Sequence, residues 1–136
     1  MANVLYDKGR NAFAQGDIHW KVGGDTFGVC LVDSADYTLS AATHQYLSSV
    51  PDAGRVASAA LSAYNPTAGV CDGADVTFTA VTGDVSEALV IFKYTGNKNT
   101  SPLIAYIDSA TGLPVTPNGG DITVTWDNGA NKIFKL

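Results

Sequence analysis

Glutamate is almost missing from this sequence. Of 13 acidic residues only Glu87 is a glutamate; the others are aspartates. Glutamate favours helix interiors, whereas aspartate favours turns through side-chain bonds to nearby backbone, so a long-helix architecture is disfavoured from the outset. Histidine is nearly as scarce, with His19 beside Trp20 and His44 ahead of Tyr46, neither in a recognisable catalytic motif. There is no GxSxG elbow for a serine nucleophile, and no GxGxxG or GxxxxGK loop for phosphate. Basic residues number 8 and the net charge is −5, the wrong balance for neutralising a nucleic-acid backbone. No apolar run approaches the ~20 residues of a membrane span. The opening MANVLYDKGRN lacks the basic start and apolar stretch of a secretory signal, so folding in the cytoplasm is expected.

Cysteine is limited to Cys30 in FGVCLV and Cys71 in AGVCDG. Isolated cysteines in apolar stretches read as small buried thiols in a reducing compartment; pairing would depend on a Cα separation that spacing does not give. No His/Cys spacing suits zinc. Asp72-Gly73-Ala74-Asp75 and Asp127-Asn128-Gly129 carry oxygen ligands but lack the alternating ladder and closing glutamate of a calcium loop, so they read as turns. Glu87 and Asp108 stand at a strand start and a strand end, where a carboxylate serves a turn before it serves glycoside chemistry. The expectation is a protein with no catalytic residue, metal or cofactor, and not an enzyme.

What the sequence does contain is β-structure. The 136 residues fit one domain, 1–136, able to bury ~65–70% of its unfolded surface. Apolar content of 46% with 15% charge is globular, and the 14 glycines and many threonines suit strands joined by tight turns. The N-terminal arm, 1–16, holds a short helix predicted over Tyr6–Gln15, with Gly9 an unfavourable interior residue. Ile18–Val22 and Phe27–Val32 read as strands around a Gly23-Gly24-Asp25 turn. A second short helix is predicted over 39–50, stopped by Pro51. From Arg55 to the end, 55–136, every segment reads as strand. Ala88–Tyr94 is nearly continuous in apolar residues, which places it centrally with both faces buried. A short strand is expected between Gly112 and Pro117, and a closing hairpin over 121–136 with its turn at Asp127-Asn128-Gly129. In that hairpin Ile122, Val124 and Trp126 form an apolar row against which Phe134 and Leu136 can pack. DVTFTAVTG (75–83) and DITVTWDNG (121–129) echo each other; two strands with the same wet face would converge on this pattern, so it is not read as a repeat. Eight or more short strands at intervals of ~8–12 residues predict an all-β fold, a jelly-roll-like sandwich or a partly open barrel, with one or two short helices in the N-terminal third.

Trp20 and Trp126 are either core residues or a sugar-stacking platform, and burial distinguishes the two. Edge strands carry unpaired backbone groups that must be covered or used in binding.

Three stretches, ANVLYDKGRNAFAQGDIHWKVGGDTFGVCLVD with THQYLSSV and then SPLIAYIDSATGLPVTPNGGDITVTWDNGANKIFKL, resemble small virion proteins of tailed bacteriophages typically encoded near the major capsid protein. The resemblance covers most of the chain and is densest from Ala74 to Leu136. It implies a capsid cement or decoration protein with a jelly-roll or related fold, made in the host bacterial cytoplasm and added to the outer surface of the capsid. It further implies the major capsid protein as partner and a homo-oligomer, a dimer before a trimer, with neither nucleic acid nor membrane bound. A tail or fibre subunit and a carbohydrate-binding head spike are the alternatives. The surfaces singled out for contact are the arm residues Val4, Leu5 and Tyr6, the tip residues Asn97, Lys98 and Asn99, and Trp126, Asn128 and Asn131 near the closing turn.

Overall fold

The computed structural model of the chain describes residues 3–126, 129–130 and 132–136. Its elements run β1 (Val4–Leu5), α1 (Asp7–Gln15), β2 (Phe27–Val32), β3 (Arg55–Ala60), β4 (Asn65–Thr67), β5 (Val70–Asp72), β6 (Val76–Phe78), β7 (Ala88–Lys93), β8 (Leu103–Ile107), β9 (Ile122–Val124) and β10 (Phe134–Lys135). The fold is all-β and sandwich-like, with one α-helix near the N-terminus. A five-stranded sheet in the order β1-β8-β7-β2-β3 faces a three-stranded β10-β5-β4 sheet and a two-stranded β6-β9 sheet. Every recorded pairing is antiparallel.

Alternation along the central strands divides the core in two. Phe27, Val29 and Leu31 of β2, with Leu89 and Ile91 of β7, point into the larger core. There they meet Val76, Phe78, Ile122, Val124, Phe134 and both tryptophans from the small sheets and their flanks. Cys30, Val32, Ala88, Val90 and Phe92 point the other way, into a smaller core completed by Tyr6, Tyr37, Leu47, Val50 and Tyr106. Both faces of β7 are thus buried, as its apolar run requires. Each fully buried Leu, Ile or Val here stabilises the fold by about 1.5–3 kcal/mol.

Ile91 pairs with Ala105 but Phe92 pairs with Leu103, so Ile104 is the extra residue of a bulge, and both Ile104 and Ala105 turn into the larger core. Helix α1 lies directly on this bulge. A Cβ on Gly9 would stand 2.4 Å from the Leu103 carbonyl oxygen, so the residue that weakens the helix is the one that lets it approach.

The two echoing segments turn out to be cross-strand partners. Val76, Thr77 and Phe78 face Val124, Thr123 and Ile122. Their valine, phenylalanine and isoleucine side chains are buried, and Thr77 and Thr123 meet on the wet face with Oγ1 atoms 3.1 Å apart. The leading aspartates act symmetrically. Asp75 accepts from the Trp126 amide and Asp121 from the Ala80 amide, each at 2.9 Å. The shared pattern is therefore what one antiparallel pair demands of both its strands.

Four expectations need correction. Residues 39–50 do not form a helix; only Leu47–Ser49 makes a single 3-10 turn. The segment is a strap, bridged at Tyr46–Pro102 and tied by Leu47 N–H to Ser101 O and Leu103 N–H to Gln45 O. These long-range bonds outweigh a helix preference that Ser and Thr already weaken. Ile18–Val22 is not a strand, because Asp25 accepts from the His19 amide and folds 19–25 into a loop, although Ile18 and Trp20 are buried. The short strand after Gly112 is a lone bridge, Ser86–Val115. The closing hairpin is not a hairpin: β9 pairs with β6, and β10 pairs with β5. Of its expected turn, Asp127 and Asn128 lie outside the described residues.

Candidate binding surface

Residues 33–54 cover the smaller core without a strand. Tyr6 donates to Tyr37 (2.9 Å between hydroxyl oxygens), Tyr37 donates to His44 Nδ1 (2.8 Å), and the Ser40 amide donates to the same Nδ1 (3.3 Å). Two donors on one ring nitrogen make Nδ1 the acceptor, which sets the direction of the chain. Burial raises the hydroxyls of Tyr6, Tyr37 and Tyr106 above the ordinary tyrosine range, and the Tyr37 partner raises Tyr6 further.

This cover stops at Leu47. Beyond it the same face of the sheet is open, forming a groove of about 550 Å³. Its floor is Gly28, Ser58 and Ala60, and its apolar wall is Leu47, Phe92 and Tyr94. The Phe92 ring lies on Gly28; a Cβ there would stand 2.5 Å from the ring. Tyr94 packs edge-on against Phe92 at 6.4 Å and is 53% exposed, a large aromatic left in water at the groove mouth. Arg55 and Lys98 stand at the rim. Both pair with one carboxylate, Asp52: Arg55 through Nη2, and Lys98 through Nζ at 3.1 Å. Two cations against one anion leave a local positive excess in a protein of net charge −5. Among the described residues Arg55 Nε has no hydrogen-bond partner.

The tip 95–101 that carries Lys98 is stiff. Buried Ser101 donates to Asn97 O (2.8 Å), and Asn97 Oδ1 accepts from the Asn99 amide (2.9 Å). Of the three tip residues expected to make contact, Asn97 thus directs its side chain into the turn, whereas Lys98 reaches the groove. Val4 and Leu5 form β1 at the sheet edge and are half-buried. Tyr6 and Trp126 are corrections: Tyr6 is fully buried, and Trp126 is 4% exposed with its Nε1–H donated to Ala74 O. Aromatic bulk drew both inward. Asn128 and Asn131 lie outside the described residues.

Trp20 is buried like Trp126 and donates to Asp72 O, so the two do not offer a stacking platform. Cys30 and Cys71 are free, buried in different cores, and burial pushes both thiols up to about 11. His19 Nδ1 stands 3.4 Å from Asp25 on the surface. Carboxylate oxygens of Asp33, Asp36 and Asp84 come within 4.8 Å of one another, a grouping that the sequence did not suggest. Asp33 Oδ1 already accepts from the Ala35 amide, so turn chemistry accounts for its position.

Sequence reasoning missed Arg55, Tyr94 and the groove floor. One signal was available: Tyr94 continues the parity of Val90 and Phe92, so it belongs to the same face but falls past the last buried position. No protein-family model matches the chain, and no curated protein matches it.

Proposed function

We propose that the protein is a structural component of a tailed-bacteriophage virion, a decoration or cement protein that binds the outside of the major capsid lattice and stabilises the head. The observation that carries this reading is the resemblance of residues 2–33, 43–50 and 101–136 to small head-associated virion proteins. Burial of Trp20 and Trp126 weighs against the alternative of a carbohydrate-binding spike, because stacking needs exposed ring faces. The stiff tip and the groove beside it suit contact with a protein surface. The mechanism is mechanical. A filled head strains the joints between capsid subunits, and a domain that binds the expanded lattice better than free subunits stabilises that lattice by mass action. Dimerisation would join two weak footholds through effective concentration. The protein would be made in the host cytoplasm and added to the shell after expansion.

The test is co-sedimentation of the purified protein with expanded and unexpanded heads. Saturable binding in fixed ratio to capsid subunits, confined to expanded heads, is the expected result. Binding to tail tubes or glycans with expanded heads ignored would overturn the proposal.

A further inference from the structure

We propose that the groove between Leu47, Ser58, Ala60, Phe92, Tyr94 and Lys98 is a docking site for an acidic loop of a partner protein, one presenting a carboxylate next to an apolar side chain. The Phe92 ring covers Gly28, and the part of the floor open to water is the small, exposed Ser58 and Ala60, which leave room for a side chain to enter from outside. Leu47 and Phe92 are buried behind the wall, and the apolar surface it offers is the exposed Tyr94 ring packed against Phe92, the kind of aromatic surface on which binding energy concentrates.

Charge selects the occupant. Arg55 and Lys98 outnumber Asp52 at the rim, while the whole chain carries −5. A carboxylate at the rim would complete a two-cation, two-anion arrangement. A basic loop would meet two like charges. Lys98 can turn outward at little cost, since an exposed ion pair contributes little. The stiff tip removes much of the ordering cost of binding, because Lys98 is already held at the rim by the Asn97–Ser101 bonds. The site rests on the structural-protein reading only in needing a protein partner, whichever protein that is.

The experiment is a titration of the isotope-labelled full chain, followed by amide spectra. The probe is the peptide acetyl-Gly-Asp-Leu-Asp-Gly-amide, with the lysine analogue acetyl-Gly-Lys-Leu-Lys-Gly-amide as control. The expected result is saturable shifts at Gly28, Ala60, Gly96 and Lys98 with the acidic peptide at millimolar concentration, and none with the basic one. Lys98→Glu should weaken the acidic peptide by about tenfold and Asp52→Asn should tighten it by a smaller factor. Ala60→Phe, at an exposed position, should abolish the shifts by filling the floor while leaving the fold intact. No shift at these amides, equal shifts with both peptides, or binding insensitive to Lys98→Glu and Ala60→Phe would each overturn the proposal. A second arm separates it from the capsid reading. Heads that bind wild type and Ala60→Phe equally would remove the groove but keep the cement role. Peptide binding with no head binding would do the reverse.

Discussion

The two faces of the central sheet are closed in different ways. The larger core is closed by other strands: β6, β9, β5 and β10 bring Val76, Phe78, Ile122, Val124, Cys71 and Phe134 down onto β2 and β7. The smaller core is closed by loop 33–54, which brings few apolar side chains and a chain of hydroxyls and one imidazole. Strands can cover a face with apolar rows because their backbone is already paired. A loop must satisfy its own backbone and does so with polar side chains and bonds to the tip. The covering is therefore incomplete on that side, and the groove lies where it ends.

The comparison predicts unequal responses. Ile91→Ala opens a cavity on the strand-covered face and should cost about 2–5 kcal/mol in urea unfolding, the largest effect expected. If it costs no more than a lid substitution, the asymmetry is wrong. Tyr37→Phe removes the middle of the Tyr6–Tyr37–His44 chain, leaves the buried Tyr6 hydroxyl without its acceptor and leaves His44 Nδ1 with the Ser40 amide alone, costing about 1–2 kcal/mol. In that variant Cys30, beneath the lid, should react with a thiol reagent before Cys71 does. Simultaneous reaction would mean that the lid is not a separate unit.

Alkali tests both faces together. Burial raises Cys30 and Cys71 from about 9 to about 11, so the folded protein holds these protons more tightly than the unfolded chain. The stabilisation is fully present below pH ~9 and is lost as pH rises through ~11, at up to about 1.4 kcal/mol per pH unit for each thiol. Substituting serine for either cysteine should flatten the dependence of unfolding free energy on pH by one such step, to a similar degree on either face. The smallest effect concerns the wet side of β6 and β9. A double-mutant cycle of Thr77→Val and Thr123→Val should give a coupling of about 0.2–1 kcal/mol, read from the same urea curves.

Much of this was legible. β7 was placed centrally from its nearly continuous apolar run, β2 was read as a strand over Phe27–Val32, and α1 was predicted over Tyr6–Gln15. The candidate site was legible only in part. Lys98 lay on a recognisable polar tip, but Arg55 and Tyr94 lie 39 residues apart along the chain and line one groove only because β3 and β7 both flank β2. Trp126 belonged to the apolar row of Ile122 and Val124 and is buried with it, so naming it, like Tyr6, as a contact residue did not hold; the burial of both depends on strands far away in the chain.

That β2 and β7 are strands, and that β6 and β9 each keep one wet face, was legible in residue alternation, because it depends on neighbours within a few residues; that Ile18–Val22 folds as a loop and 39–50 as a strap was not. Nor was partner choice. Asp127-Asn128-Gly129 suggested that β9 and β10 would pair, yet β9 took β6 and β10 took β5. The physical reason is that closing a longer loop costs little more, about 0.6 kcal/mol per doubling of length. A few well-matched cross-strand pairs, such as Val76–Val124 and Phe78–Ile122, outweigh that difference, and only the folded chain brings them together.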